Sequence, residues 1–136
     1  MNEAIRTTVI GSYPVPEWLR ALPNSMNLRD AVMVVMKAQE LAGIDVISDG
    51  ELSRFDVSHP ETNGMIDYFV RPMAGIESSL SRQELEKFRS RTNFAFRTQP
   101  AGVVRGEISE GKLDLPRTYE SVQSLTKTPL RSRAAR

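Results

Sequence analysis

"TTVIGSYP", residues 7–14, and "IDVISDGELSRFD", residues 44–56, follow one pattern: a short β-branched, apolar run breaks off into small or charged residues. In the first, residues 6–10 have strand composition, and Gly11, Pro14 and Pro16 prevent continuation. In the second, residues 44–48 run into Asp49, Gly50 and Glu51. Between them, "NLRDAVMVVMKAQELAG" spaces Leu28, Ala31, Val32, Val35, Ala38, Leu41 and Ala42 by three and four residues, which predicts an amphipathic helix of about four turns. Met33, Val34 and Met36 widen its apolar face, Asn27 is the expected N-cap, and Gly43 suits the left-handed position after the last turn. Strand, helix, strand is a βαβ unit, whose crossover is right-handed in nearly all proteins, so the strands run parallel with their C-terminal tips side by side. Ser12 and Glu51 are therefore expected to converge.

The rest of the chain is less regular. "PEWLRAL", residues 16–22, predicts a turn or two of helix starting at Pro16 and packing Trp18, Leu19 and Leu22 under a loop. "SRQELEKFRS" opens with Ser81 and Glu84 in capping-box spacing. "FAFRTQ" and "VVRGEIS" read as strands, residues 71–76 as loop, and a helix is expected near Pro116. The fold class is α/β, with a β-rich excursion after the first βαβ unit, and "RSRAAR", residues 131–136, reads as a disordered basic tail after a domain of residues 1–130.

Composition narrows the function. At 136 residues with 40% apolar side chains, one modest core is affordable. Eighteen basic against seventeen acidic residues leave a net charge of +1, too little field to favour nucleic acid or an anionic membrane. No apolar run approaches the roughly 20 residues of a membrane span, and the first residues lack a signal-peptide core, so the cytoplasm is the expected location. The chain contains no cysteine, hence no disulfide and no thiolate nucleophile or ligand.

Strand tips of α/β proteins are where ligands bind. Amide groups around Gly11 and Ser12, with the Ser12 hydroxyl, suit a carboxylate, and Glu51 supplies a fixed negative charge for an ammonium group. Together they form a candidate clamp for an amino acid zwitterion. A plainer reading has Gly11, Ser12 and Pro14 turning the chain while Glu51 pairs with Arg54 on the surface, and spacing alone favours it. His59 with Glu61 makes at most half a zinc site, and Asp45, Asp49, Glu51 and Asp56 lack EF-hand spacing for a hard cation.

The combination of "TTVIGSYP", "KAQELAGIDVISDGE" and Gly50, Glu51, Arg54 and Asp56 in "GELSRFD" resembles the start of the catalytic barrel of cobalamin-independent methionine synthase, in the superfamily of uroporphyrinogen decarboxylase. The resemblance covers residues 5–70 well and the excursion more loosely. It implies a partial TIM (β/α)8 barrel from a cytoplasmic methyltransferase of methionine biosynthesis, which passes the methyl group of methyltetrahydrofolate to homocysteine, with zinc activating the thiol. It implies substrate-binding roles for Ile10, Gly11, Ser12 and Glu51.

Two departures accompany it. Phe55-Asp56 and "VSHPETNG" stand where the family often has Asn-Asp-Met, and the family's zinc ligands belong to later strands, so no catalytic or metal residue is expected in this chain. A complete barrel takes about 250 residues, and "TKTPLR" turns into "RSRAAR" where a third barrel strand would begin, as a truncated N-terminal fragment would. Two alternatives accompany the methyltransferase: a related zinc-thiolate enzyme with an epoxide electrophile, and a non-catalytic half-barrel that binds a complementing polypeptide.

Overall fold

The computed structural model describes residues 5–60, 64–91 and 99–131. The chain divides into two compact units, Met1–Glu61 with Asp114–Arg136, and Thr62–Leu113.

The first unit is organised around α2, Ser25–Leu41. Its N-cap is Asn24, three residues before the expected Asn27: the extended Asn24 accepts the Asn27 amide at 2.8 Å, and Asn27 spends its side chain on the Leu22 carbonyl at 2.7 Å. Gly43 takes the left-handed conformation expected of it, with φ +74°. The buried face comprises Ala31, Val32, Val35, Met36 and Gln39. The expected face agrees through Val35 and then diverges, with Gln39 buried in place of Ala38 and Leu41, which are exposed. Polarity is overridden because the Gln39 amide is fully bonded. Its Nε2 donates to the Ser48 carbonyl at 2.9 Å and its Oε1 accepts the Ser48 amide at 2.9 Å, as a neighbouring strand would.

Residues 6–10 and 44–48 run parallel, as the βαβ reading expects. They meet in a single bridge, Thr8 with Val46, instead of the expected strand ladder. The Val46 amide donates to the Thr7 carbonyl at 3.1 Å. A third parallel segment joins on the other side, where Ile47 donates to Pro129 at 3.0 Å and accepts from Arg131 at 2.8 Å. Ile47, central among the three, is completely buried. The outer segment is not, and Ile10 is 68% exposed.

The helix α1, Glu17–Ala21, has Pro16 as its N-cap and anchors through Leu19. Trp18 is 43% exposed and Leu22 is exposed, correcting the expectation that both pack inward; five residues of helix offer one face, and Leu19 takes it. Leu19, α2, Ile47, Leu52 and Val122 form the core.

The second unit contains α3, Gly64–Val70, which the sequence pattern did not indicate. Its antiparallel ribbon pairs β1, Ile76–Glu77, with β2, Val103–Val104, so Ile76 is strand where a loop was expected. Ser81 and Glu84 form the expected capping box at the start of α4, Arg82–Arg89. Arg105 bridges Glu77 at 3.2 Å and Glu84 at 2.6 Å. Residues 94–98 of "FAFRTQ" and 132–136 of the tail lie outside the described residues. Back in the first unit, α5, Leu115–Gln123, is capped by Asp114 with Pro116 in its first turn, as expected.

Candidate functional site

The tips of the first two parallel segments are tied together by the Tyr13 amide, which donates to the Gly50 carbonyl at 2.8 Å. Two successive residues on the second tip are left-handed, Gly50 at φ +65° and Glu51 at φ +60°. At Gly50 a Cβ would stand 2.8 Å from Val35 Cγ1 and 3.0 Å from Tyr13 Cβ, so both conformation and space require glycine.

Glu51 has no such excuse: a left-handed non-glycine residue costs about 1 kcal/mol or more and marks a position over-determined by its surroundings. Asp49 supplies that determination. Its Oδ1 accepts the Glu51 amide at 3.0 Å, its Oδ2 accepts the Ser53 hydroxyl, and its carbonyl accepts the Leu52 amide at 3.3 Å. A 3-10 turn, Leu52–Arg54, follows, locked into the core by buried Leu52.

The result is a fixed carboxylate. Glu51 Oε2 accepts the Ser12 hydroxyl from the neighbouring tip and lies 3.3 Å from Arg54 Nη1, with the Arg54 and Glu51 side chains only 14% and 13% exposed. Convergence across 39 residues and pairing with Arg54, which the sequence offered as rival readings, therefore coexist. Ile10 and Gly11 are solvent-exposed at the first tip, with Gly11 at φ +110° and open space around it. Among the described residues no acceptor is found for the Gly11 or Ser12 amide. An exposed pair of amide donors thus lies beside a half-buried anion.

Two residues that the sequence reading left without a role support this tip from behind. Gln39 fixes Ser48, whose hydroxyl accepts the Gly50 amide at 3.2 Å. Glu40 accepts from Thr126 at 2.6 Å, Thr128 at 3.0 Å and Lys37 at 2.9 Å, tying α2 to the segment that leads into the parallel bridge of Ile47 with Leu130. The Thr126 hydroxyl first, then Lys37 and Thr128, hold the Glu40 carboxyl at about 2, well below its usual 4.5. Beside the other bridge, Thr8 with Val46, the Asp45 carboxyl is held low by the Thr7 amide and then the Thr7 hydroxyl, both at 2.8 Å. The signal for Gln39 and Glu40 was their place in "KAQELAGIDVISDGE", one of the stretches that carry the resemblance.

His59 lies on the surface with Nδ1 3.1 Å from Asp56, and Glu61 is outside the described residues. Asp45, Asp49, Glu51 and Asp56 each bond their own neighbours. Among the described residues no group of three or more His, Cys, Asp or Glu side chains could hold a metal ion. Zinc of the implied kind does not fit a chain with no cysteine and one histidine. No described helix is long and apolar enough to cross a membrane.

No protein-family model matches the chain. Among curated proteins, a methionine synthase of Thermococcus kodakarensis is 35% identical over 83 residues, covering 52% of this chain and 22% of that protein. Methionine synthases of Sulfurisphaera tokodaii and Sulfolobus acidocaldarius are 36% identical over 83 residues and 35% over 85, each covering 52% of this chain and 22% of the relative. The chain therefore has homologues named methionine synthase and spans about a fifth of their length, 22%.

Proposed function

We propose that this chain carries the amino-acid-binding corner of a methionine-synthase-like barrel, and that residues 1–130 are the opening portion of that (β/α)8 fold. The carrying observation is the fixed Glu51 carboxylate against Ser12 on neighbouring parallel tips. The relatives' name supports the same assignment.

In this reading the α-ammonium group of homocysteine, or of the product methionine, docks on Glu51. Its carboxylate lies against the Gly11 and Ser12 amides, and Ile10 lines the approach. Binding both ends of the amino acid orients its sulfur, and such positioning is a large part of what an enzyme contributes to a transfer reaction. The whole reaction is transfer of a methyl group from methyltetrahydrofolate to homocysteine in the cytoplasm, a cobalamin-independent route. Zinc would activate the thiol, but its ligands do not fit the residues present, and no step through it is assigned to this chain. The same clamp would serve a zinc-thiolate relative that alkylates the thiol with an epoxide.

Calorimetric titration of the chain with L-methionine tests the reading. Glu51→Ala is expected to weaken binding about tenfold or more, the worth of one charge-assisted hydrogen bond. Unchanged affinity removes Glu51 from the site.

A second reading, a half-barrel that binds a complementing polypeptide, is favoured by the exposure of Ile5 and Ile10 along the outer parallel segment. Gel filtration separates the two, since a cooperative, well-behaved monomer disfavours an obligate partner.

A further inference from the structure

We propose that the outward face of α2 recognises itself: a second copy of this chain docks its own α2 there, antiparallel, about a two-fold axis between Met33 and Val34. The inference stands apart from the amino-acid reading of the strand tips.

A helix that packs one face on a core ordinarily turns a polar face to solvent. On α2 the side opposite Val32, Val35 and Gln39 departs from that rule. Met26, Met33, Val34 and Leu41 are 40–81% exposed. At 3.6 residues per turn they fall, with exposed Asp30 and Lys37, in one stripe about 100° wide and about 22 Å long.

The order of the stripe names its occupant, because read backwards it complements itself. Turned about that axis, Met26 meets the second copy's Leu41, Asp30 meets its Lys37, and Met33 meets its Val34. Every contact occurs twice, as a two-fold interface requires. Both charged contacts join opposite signs, whereas a parallel pairing would set Asp30 on Asp30 and Lys37 on Lys37. Lys37 keeps its bond to Glu40 at 2.9 Å, since an ammonium group has three hydrogens to give and this side chain is 68% exposed. A net charge of +1 leaves no long-range repulsion between copies. One helix pair buries less than the roughly 1,200 Å² at which stable interfaces begin, so the dimer is weak and exchanging. Its apolar contacts supply the attraction and its ion pairs the register.

Sedimentation equilibrium of the chain over a range of concentrations tests the proposal, and a concentration-dependent dimer is expected. Val34→Glu should weaken association about tenfold or more, by setting a charge against the second copy's Met33. Asp30→Lys should weaken it too, and adding Lys37→Glu to Asp30→Lys should restore it. Because the chain has no cysteine, oxidation of introduced thiols reads the orientation. Met26→Cys combined with Leu41→Cys should give a disulfide-linked dimer, and Met26→Cys alone should not, since the two positions 26 stand about 22 Å apart in an antiparallel pair. A monomer at every concentration overturns the proposal and leaves the face to a different polypeptide. Association unchanged in Val34→Glu overturns it in favour of another face, and crosslinking through Met26→Cys alone overturns the antiparallel register. Should Val34→Glu fail to fold by circular dichroism, the charge reversals decide, and failure of Lys37→Glu to restore association overturns the proposal.

Discussion

The two compact units are stabilised by different means. In the first, Leu19, Ala31, Val32, Val35, Met36, Ile47, Leu52 and Val122 are buried together. In the second, no apolar side chain among the described residues is buried, and order comes from a two-residue ribbon, a capping box and an arginine shared by two glutamates. The candidate site belongs to the first. A carboxylate held in a left-handed conformation needs a rigid support, and close-packed apolar contacts supply rigidity that surface ion pairs do not.

The sharpest way to break this contrast is to truncate matched positions. Ile47→Ala is expected to cost about 2–5 kcal/mol, the usual range for a fully buried isoleucine, read from the urea midpoint. Val104→Ala, in the second unit and exposed, should stay within about 0.5 kcal/mol. Comparable losses at the two positions would refute the contrast.

Gly50→Ala should follow, at about 1–3 kcal/mol, since φ +65° and the Val35 contact both penalise a Cβ. Methionine affinity should fall with it, because Glu51 stands on the same turn.

A pH titration sharpens the comparison within the first unit. Glu40 is held at about 2 in the folded protein against 4.5 as its ordinary value. A carboxyl lowered on folding contributes stability that is fully present above the unfolded value and fades as pH falls from 4.5 toward 2. Amide exchange at Ile47 and Arg131, which bond across the bridge of Ile47 with Leu130, should accelerate in that window. Glu40→Gln should flatten the dependence.

The smallest effect is expected in the second unit. Arg105→Ala removes an exposed, two-carboxylate bridge, so the loss should be slight and should vanish as salt is raised. A large, salt-independent loss would mean that this unit rests on something other than its charges.

Local signals were legible where chemistry acts within a few residues. The Ser81–Glu84 capping box, the Asp114–Pro116 start of α5 and the glycine after α2 follow from side-chain and backbone rules that need no distant partner. The parallel approach of residues 7–8 and 45–47 was legible too, because a short strand, a helix and a second strand leave few ways to cross over. The burial of Gln39 was hidden, since a polar residue is admitted to a core only when its bonds are met, and those bonds come from Ser48 nine residues away. Trp18 misled for the complementary reason: its size favours burial, but α1 turns only one face inward and Leu19 occupies it.

The amino-acid sequence determined which residues carry charge at the two tips, where the backbone must break, and that a βαβ unit would bring those tips to the same end. Tertiary structure alone decided that Ser12, Glu51 and Arg54 share one oxygen, and that Asp49 holds Glu51 in a conformation its own backbone disfavours. The division has a physical origin. Propensity and periodicity act over a few residues, whereas the position of a side-chain atom depends on every contact that closes around it.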